Sequence, residues 1–400
     1  SNKYNQNIRS RYLIMNVAYK TEIHPTESQT KKMVSSIGIC RFLYNHYVAR
    51  NLDVLTQNQL IISANQFDKL VNHELSKAYP WIKECGSKAR KKSLVNAETA
   101  FQRYFKKRAG KPRFKKKNAQ TMKLYFPKNN KRDLEIERHR IKIPTLGWVR
   151  LKEKGYLPKD GVVSSCTIEQ KADRFYVSIL FSCIPPKIQK TVSFSDGIGI
   201  DLGIKDFAIT SKGQTFENIN KTSTIKRTEK RLKRAQRSLA CKYETTKKRG
   251  GKPATKGGSN ITKNILRVQK LHHRLACIRN AYRAQVVSVI AKTKPAFITI
   301  EHLNVKGMVR NRHLARSICQ QGFYDFKQKL RKVCREIGIE LREVGSFYPS
   351  SKLCSCCGRK KVKLSLAERV FRCDHCGLKM DRDHNAAINL MQAKEYAILS

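Results

Sequence analysis

The chain has 400 residues, 40% of them hydrophobic, and carries 83 Lys and Arg against 30 Asp and Glu, a formal net charge of +53 at pH 7. That hydrophobic content excludes a disordered basic tail and supports about two to four packed domains. No run of about 18 apolar residues is present to span a membrane, and so large a charge excess repels itself unless a polyanion offsets it, so nucleic acid is the expected partner.

In chain order, residues 12–19 (YLIMNVAY) alternate as a strand, and Pro25-Thr26 opens a helix to about residue 53, with more helix to about 108. Residues 103–132 hold thirteen Lys or Arg and no acid, interleaved with Phe105, Phe114, Tyr125 and Phe126. Aromatics set between cations suit stacking on bases as well as phosphate contact, or they pin a loop to the core. Lys88, Arg90, Lys91 and Lys92, together with Lys111, Arg113, Lys115 and Lys116, are the electrostatic candidates for nucleic-acid contact. From 134 to 184 short alternating strands (LEIERHRIKIP, WVRLKEK, VVSSCTIEQ, FYVSILFSC) point to a small β-barrel or sandwich that the first strand joins.

After a linker at 185–195 the pattern becomes α/β: a hairpin over 197–210, basic helices at about 222–245 and 262–292 joined by a flexible Gly/Lys connector at 250–260, a buried strand at 296–303, a helix at 314–337 and a strand at 339–344. Asp201 follows the apolar Ile198–Ile200 strand, with Gly199 and Gly203 read as leaving room for a ligand near the backbone. Glu301 ends the ITI strand, and Asp381-Arg382-Asp383 starts the last helix. Carboxylates at the ends of rigid elements fit metal-dependent phosphoryl transfer, in which they hold two hard cations about 3.5–4 Å apart. Asp381 and Asp383, two apart on a helix, diverge by about 200° and cannot both face one point. One is an N-cap and the other a ligand; spacing leaves the choice open.

Cys354-x-x-Cys357, fifteen residues, then Cys373-x-x-Cys376 has the spacing of a zinc ribbon, with Gly358 and Gly377 after each pair permitting knuckle turns. Four thiolates leave no open position, so this zinc is structural. Cys40, Cys166, Cys277 and Cys334 sit among apolar residues as reduced core. With thirteen cysteines, an odd count, and no secretory signal, the expected setting is reducing, cytoplasmic and nucleoid-associated.

GIDLGIKDFA, TIEHL, FYPSSKLCSCCG, FRCDHCG and DRDHNAAINL, preceded by HPTESQ, RFLYNHYVARN, FQRYFKKRAGKPRFKK and IKIPTLGWVRLK, resemble the transposon-encoded TnpB proteins over nearly the whole chain. These are RNA-guided DNA nucleases related to compact type V CRISPR effectors. The resemblance implies a multidomain α+β protein. Its parts would be a wedge β-barrel (1–23 and 126–190), a helical recognition lobe (24–125), a RuvC-like, RNase H-type nuclease domain (191–346 and 381–400) and a zinc ribbon (347–380). It implies Asp201, Glu301 and Asp383 as Mg²⁺-binding catalytic carboxylates, which selects Asp383 over Asp381. A guide RNA, a double-stranded DNA target and a short target-adjacent motif are implied with it. The alternatives are a guided repressor without cleavage, a strand-transfer transposase on the same fold and an actin-like ATPase. The intact carboxylates weigh against the repressor, and the lack of a second Gly-rich phosphate loop weighs against the ATPase.

Overall fold

The computed structural model describes residues 15–117, 122–130, 132–158, 161–183, 197–248, 250, 259–365 and 368–399. The linker at 185–195 and most of the 250–260 connector lie outside the described residues. The chain divides into two compact units, Ser1–Pro185 and Pro186–Ser400.

In the first unit, β1 (Met15–His24) leads into α1 (Glu27–Thr56). Thr26 caps that helix: its side chain accepts from the Gln29 amide while the Gln29 side chain accepts from the Thr26 amide. Two shorter helices, α2 (Ala64–Leu70) and α3 (Ser87–Phe105), follow, separated by a π-helical turn at Val71–Leu75 and a 3-10 turn at Pro80–Glu84. Then come β2 (Lys123–Pro127), β3 (Arg140–Ile143), β4 (Gly147–Leu151), β5 (Val162–Lys171) and β6 (Arg174–Cys183). They join β1 in a six-stranded antiparallel sheet of order β2-β5-β6-β1-β4-β3. Alternation sends Phe175, Val177, Ile179 and Phe181 of β6 inward, against Met33, Leu43, Leu94 and Phe101 of the helices. Sheet and helices therefore share one core.

The second unit is built on β7 (Ile198–Leu202), β8 (Asp206–Thr210), β9 (Thr215–Glu217), β10 (Phe297–Glu301), β11 (Glu340–Val344) and, at the far edge, residues 397–398. β7, β10 and β11 run parallel, whereas β8 turns back antiparallel between β7 and β9. The crossover from β9 to β10 is a long helical pair, α4 (Ser223–Lys248) and α5 (Ser259–Lys292), closed by Ile225, Leu232, Leu271 and Leu275. α6 (Arg312–Gln321) and α7 (Phe323–Ile337) precede β11, and Phe323, Phe326, Leu330 and Cys334 of α7 cover the sheet. A two-stranded ribbon (Val370–Arg372 with Lys379–Asp381) leads into α8 (Arg382–Met391). Cys40, Cys166 and Cys334 are buried as expected, but Cys277 is exposed. The buried stripe of α5 there runs through Leu271 and Leu275, and Cys277 sits two residues past it.

Candidate active site and zinc-ribbon support

β7 and β10 pair in parallel with Ile300 opposite Ile200, so Asp201 and Glu301, the next residues along, leave neighbouring strands at the same end. The third carboxylate arrives on α8, which crosses β7 at backbone contact. A Cβ on Gly199 would stand 1.9 Å from the Ala387 carbonyl oxygen and 2.5 Å from the Met391 amide nitrogen. Gly199 is thus required by the helix and not by a ligand. Gly203 belongs to the hairpin turn, where a Cβ would meet the Asp206 carbonyl at 2.9 Å. The expected room for a ligand beside these glycines is filled by the protein's own backbone.

Asp381 is the N-cap of α8: its Oδ1 accepts from the amides of Asp383 (2.9 Å) and His384 (3.0 Å). Asp383 occupies the first turn, half-buried. Burial, then the charges of Asp383 and Glu301, push the Asp201 carboxyl up to about 7, while Arg382 works in the opposite direction. Burial also raises Glu301. Asp201 therefore feels the charges of both other carboxylates. Arg382 donates from Nε and Nη2 to Asp383 Oδ1 (3.1 and 3.0 Å), and Arg369 Nη1 lies 3.9 Å from Oδ2. A hard, all-oxygen donor set of this kind fits Mg²⁺.

Cys354, Cys357, Cys373 and Cys376 place their sulfurs within 4.8 Å of one another, the only such set of metal-binding side chains among the described residues. Each knuckle closes through Gly358 and Gly377, at φ +72° and +73°, whose amides bond back to Cys354 and Cys373. Cys356 is exposed and outside the cluster. Four soft thiolates in this arrangement suit a tetrahedral structural ion.

Two residues that sequence reasoning missed tie the ribbon to α8. Asn385, fully buried, accepts from the Ser355 amide (3.0 Å) and donates to the Leu353 carbonyl (2.7 Å). One helical turn on, Asn389 donates to the carbonyls of Ser350 (2.7 Å) and Leu353 (2.8 Å). Asparagines four apart on an otherwise apolar helix face were the available signal, since buried amides need partners.

Of the basic candidates, Lys88, Lys91 and Lys92 are exposed on α3, and Lys111, Arg113 and Lys116 are exposed beyond it. Arg90 is not on the surface. It lies on the α3 stripe with Ala89, Leu94 and Ala97, and its Nε and Nη1 find no hydrogen-bond partner. Lys115 is half-buried, with Nζ 4.2 Å from the Tyr44 ring centroid and its backbone bonded at both N–H and C=O to the Asn45 side chain. Among the interleaved aromatics, Phe105 and Phe114 are exposed while Phe126 is core, so the segment both offers stacking faces and pins itself.

Three family models match: "Helix-turn-helix domain" over residues 15–59, "Probable transposase" over 181–312 and "Cas12f1-like, TNB domain" over 323–390. The first covers β1 and the single long helix α1. InsQ of Escherichia coli (strain K12), named as a candidate RNA-guided DNA endonuclease, is 30% identical over 393 residues, covering 94% of this chain and 92% of its own. The chain belongs to the TnpB family. A second relative of this TnpB-family chain, from Streptomyces pristinaespiralis and named in the same terms, is 27% identical over 94% of the chain and 89% of its own. A CRISPR-associated endodeoxyribonuclease Cas12f1 from an uncultured archaeon is 27% identical over 52% of the chain and 40% of its own. In three dimensions the chain matches a Cas12f1 in complex with guide RNA and target DNA, with a TM-score of 0.58 at 15% identity over 99% of this chain and 87% of that one. The chain therefore shares its fold with that protein.

Proposed function

We propose that this TnpB-family chain is an RNA-guided, Mg²⁺-dependent DNA endonuclease that takes a transposon-derived guide RNA and cleaves DNA beside a short motif. The observation that carries the reading is the convergence of Asp201, Glu301 and Asp383 on adjoining ends of β7, β10 and α8, in a chain of net charge +53. Relatives matching nearly end to end are named as candidate RNA-guided DNA endonucleases, which supports it.

Asp201, Glu301 and Asp383 would hold the metal ions. Mg²⁺ bound there would supply an activated water and charge stabilisation for the leaving oxygen. The chain's own part is positional. The parallel pair β7/β10 sets two carboxylates, and α8, pressed onto Gly199, sets the third. Cys354, Cys357, Cys373 and Cys376 would hold a zinc ion that orders the ribbon, and Asn385 and Asn389 tie the ribbon to α8. Residues 1–23 and 126–190 act as the wedge, 24–125 as the recognition lobe, 191–346 with 381–400 as the nuclease, and 347–380 as the ribbon. Exposed Lys88, Lys91 and Lys92 on α3 belong to the nucleic-acid surface, and the protein works in the cytoplasm at the nucleoid. Among the described residues no helix is long and apolar enough to cross a membrane.

The test is to purify the protein from cells carrying its native flanking DNA and to sequence the RNA that accompanies it. A discrete RNA and cleavage of a matching duplex in Mg²⁺ are expected. Asp201→Ala, Glu301→Gln and Asp383→Asn should each slow cleavage by at least about a hundredfold while retaining target binding. Metal-dependent cleavage surviving in Asp201→Ala would refute the assignment.

A further inference from the structure

The sheet of the first unit turns a charged face away from its core, and that face is organised in a row. Register places Lys123 opposite Glu169, Glu169 opposite Tyr176, and Tyr176 opposite Glu22, and the Lys152 amide bonds to the Glu22 carbonyl at 2.9 Å. Lys123, Glu169, Tyr176 and Glu22 thus cross four strands in one line, which Lys152, one residue past β4, extends to about 19 Å at the usual strand spacing.

The two acids are buried, Glu22 at 8% exposure and Glu169 at 5%, whereas the cations around them are about half exposed. Glu169 gathers Lys20, Lys123 (3.5 Å) and Lys171 (3.9 Å). Glu22 gathers Lys152 (2.8 Å) and Arg174 (3.2 Å). Burial alone would raise both carboxyls, yet the surrounding cations bring both below their ordinary value, so they stay ionised. Lys20 also lies over the Tyr176 ring, 5.3 Å from its centroid.

Simple sheet-stapling ion pairs would match charge for charge. Here five cations, each about half exposed, stand around two buried carboxylates. Long lysines that wander in solution lose entropy on binding; anchoring them beforehand removes much of that cost.

We infer that Glu22 and Glu169 are positioning residues that hold these five cations as a preformed contact surface for the phosphate backbone of the guide RNA. The assignment rests on the RNA-guided reading above. Half-exposed cations on one face suit a phosphate backbone, the proposed function supplies the guide RNA as that polyanion, and the DNA duplex is the alternative that the experiment separates.

The experiment turns on acids whose loss should weaken binding to an anion. The probe is the RNA recovered with the wild-type protein, with a random-sequence DNA duplex as control. Glu169→Asp and Glu22→Asp keep the charge but withdraw the carboxylate by one methylene, so an account by net charge expects no change. Glu169→Gln raises the net charge, and that account expects tighter binding. We expect about a tenfold loss of RNA affinity in each, with unchanged circular dichroism and unchanged duplex binding. Wild-type affinity in the folded Asp variants, or tighter binding by Glu169→Gln, would overturn the inference. An equal loss for the DNA duplex would overturn its assignment to RNA. Should the acid variants not fold, Lys123→Met and Lys152→Met at the exposed ends of the row serve. Each should reduce the slope of log affinity against log salt by about 0.7–0.9, and an unchanged slope overturns the inference. If wild-type protein carries no discrete RNA, the guided reading fails along with it; the other failures leave that reading intact.

Discussion

At the candidate active site the charge of Asp201 is unfavourable, and either a proton or a cation relieves it. Asp201 lies at about 7, against an ordinary 3.8, because burial and then Asp383 and Glu301 disfavour its charge. Between those values the folded chain keeps a proton that the unfolded chain has released. The stability this contributes is full below the lower value and is lost as pH rises through about 7. In chelator, the melting temperature of wild type minus that of Asp201→Asn should therefore fall as pH is raised from about 5 to about 8. A flat difference would show that Asp201 titrates normally. Metal ligation requires the ionised form, so added Mg²⁺ should oppose the fall. Asp381 carries the same side chain two residues before Asp383, yet it is spent on the helix amides. Spacing excluded a shared role for the two, and only the cap geometry shows which one is the cap.

At the scale of elements, the site depends on how closely α8 can lie on β7. Ala386, Ala387 and Gly199 remove the side chains that would separate them, and a Cβ at Gly199 has no side chain to push aside, only backbone. Gly199→Ala should cost about 3 kcal/mol or more in stability of the second unit and displace Asp383. The measurement is chemical denaturation together with cleavage by the variant, with RNA retention as the control for the first unit. Wild-type cleavage by Gly199→Ala would show that α8 can move without loss. The helix from Thr26, the β7–β8 hairpin and the strands at 297–301 and 340–344 were legible because capping residues and apolar periodicity are local. The π-turn at Val71–Leu75 was not, since nothing in its composition separates it from the flanking helix. Arg90 was misplaced for a related reason: a count of charges ignores the helical stripe that buries it.

For the whole molecule the governing quantity is the net charge of +53. Like charges held in two compact units raise the free energy of the folded state, and a bound polyanion lowers it. RNA at about a hundred times its dissociation constant should add about 2.7 kcal/mol, a rise in melting temperature of about 5 °C or more. The shift should shrink as salt is added, because counterion release supplies much of the binding. Equal melting temperatures with and without RNA would contradict this view of the charge. The same surplus appears locally on the sheet face, where two buried glutamates stand among five cations.

Composition, apolar period and cysteine spacing are properties of the chain itself, and they sufficed for a basic α+β protein with a four-cysteine ribbon and three carboxylates at element ends. They carry this because secondary structure and knuckle turns are set within a few residues of each position. The tertiary structure alone decided what those positions touch. It packs α8 onto Gly199, hands the ribbon to Asn385 and Asn389, takes Arg90 out of the surface and lines Glu22 and Glu169 up across strands more than a hundred residues apart. Such contacts join residues distant in sequence, where no local pattern constrains which of them will meet.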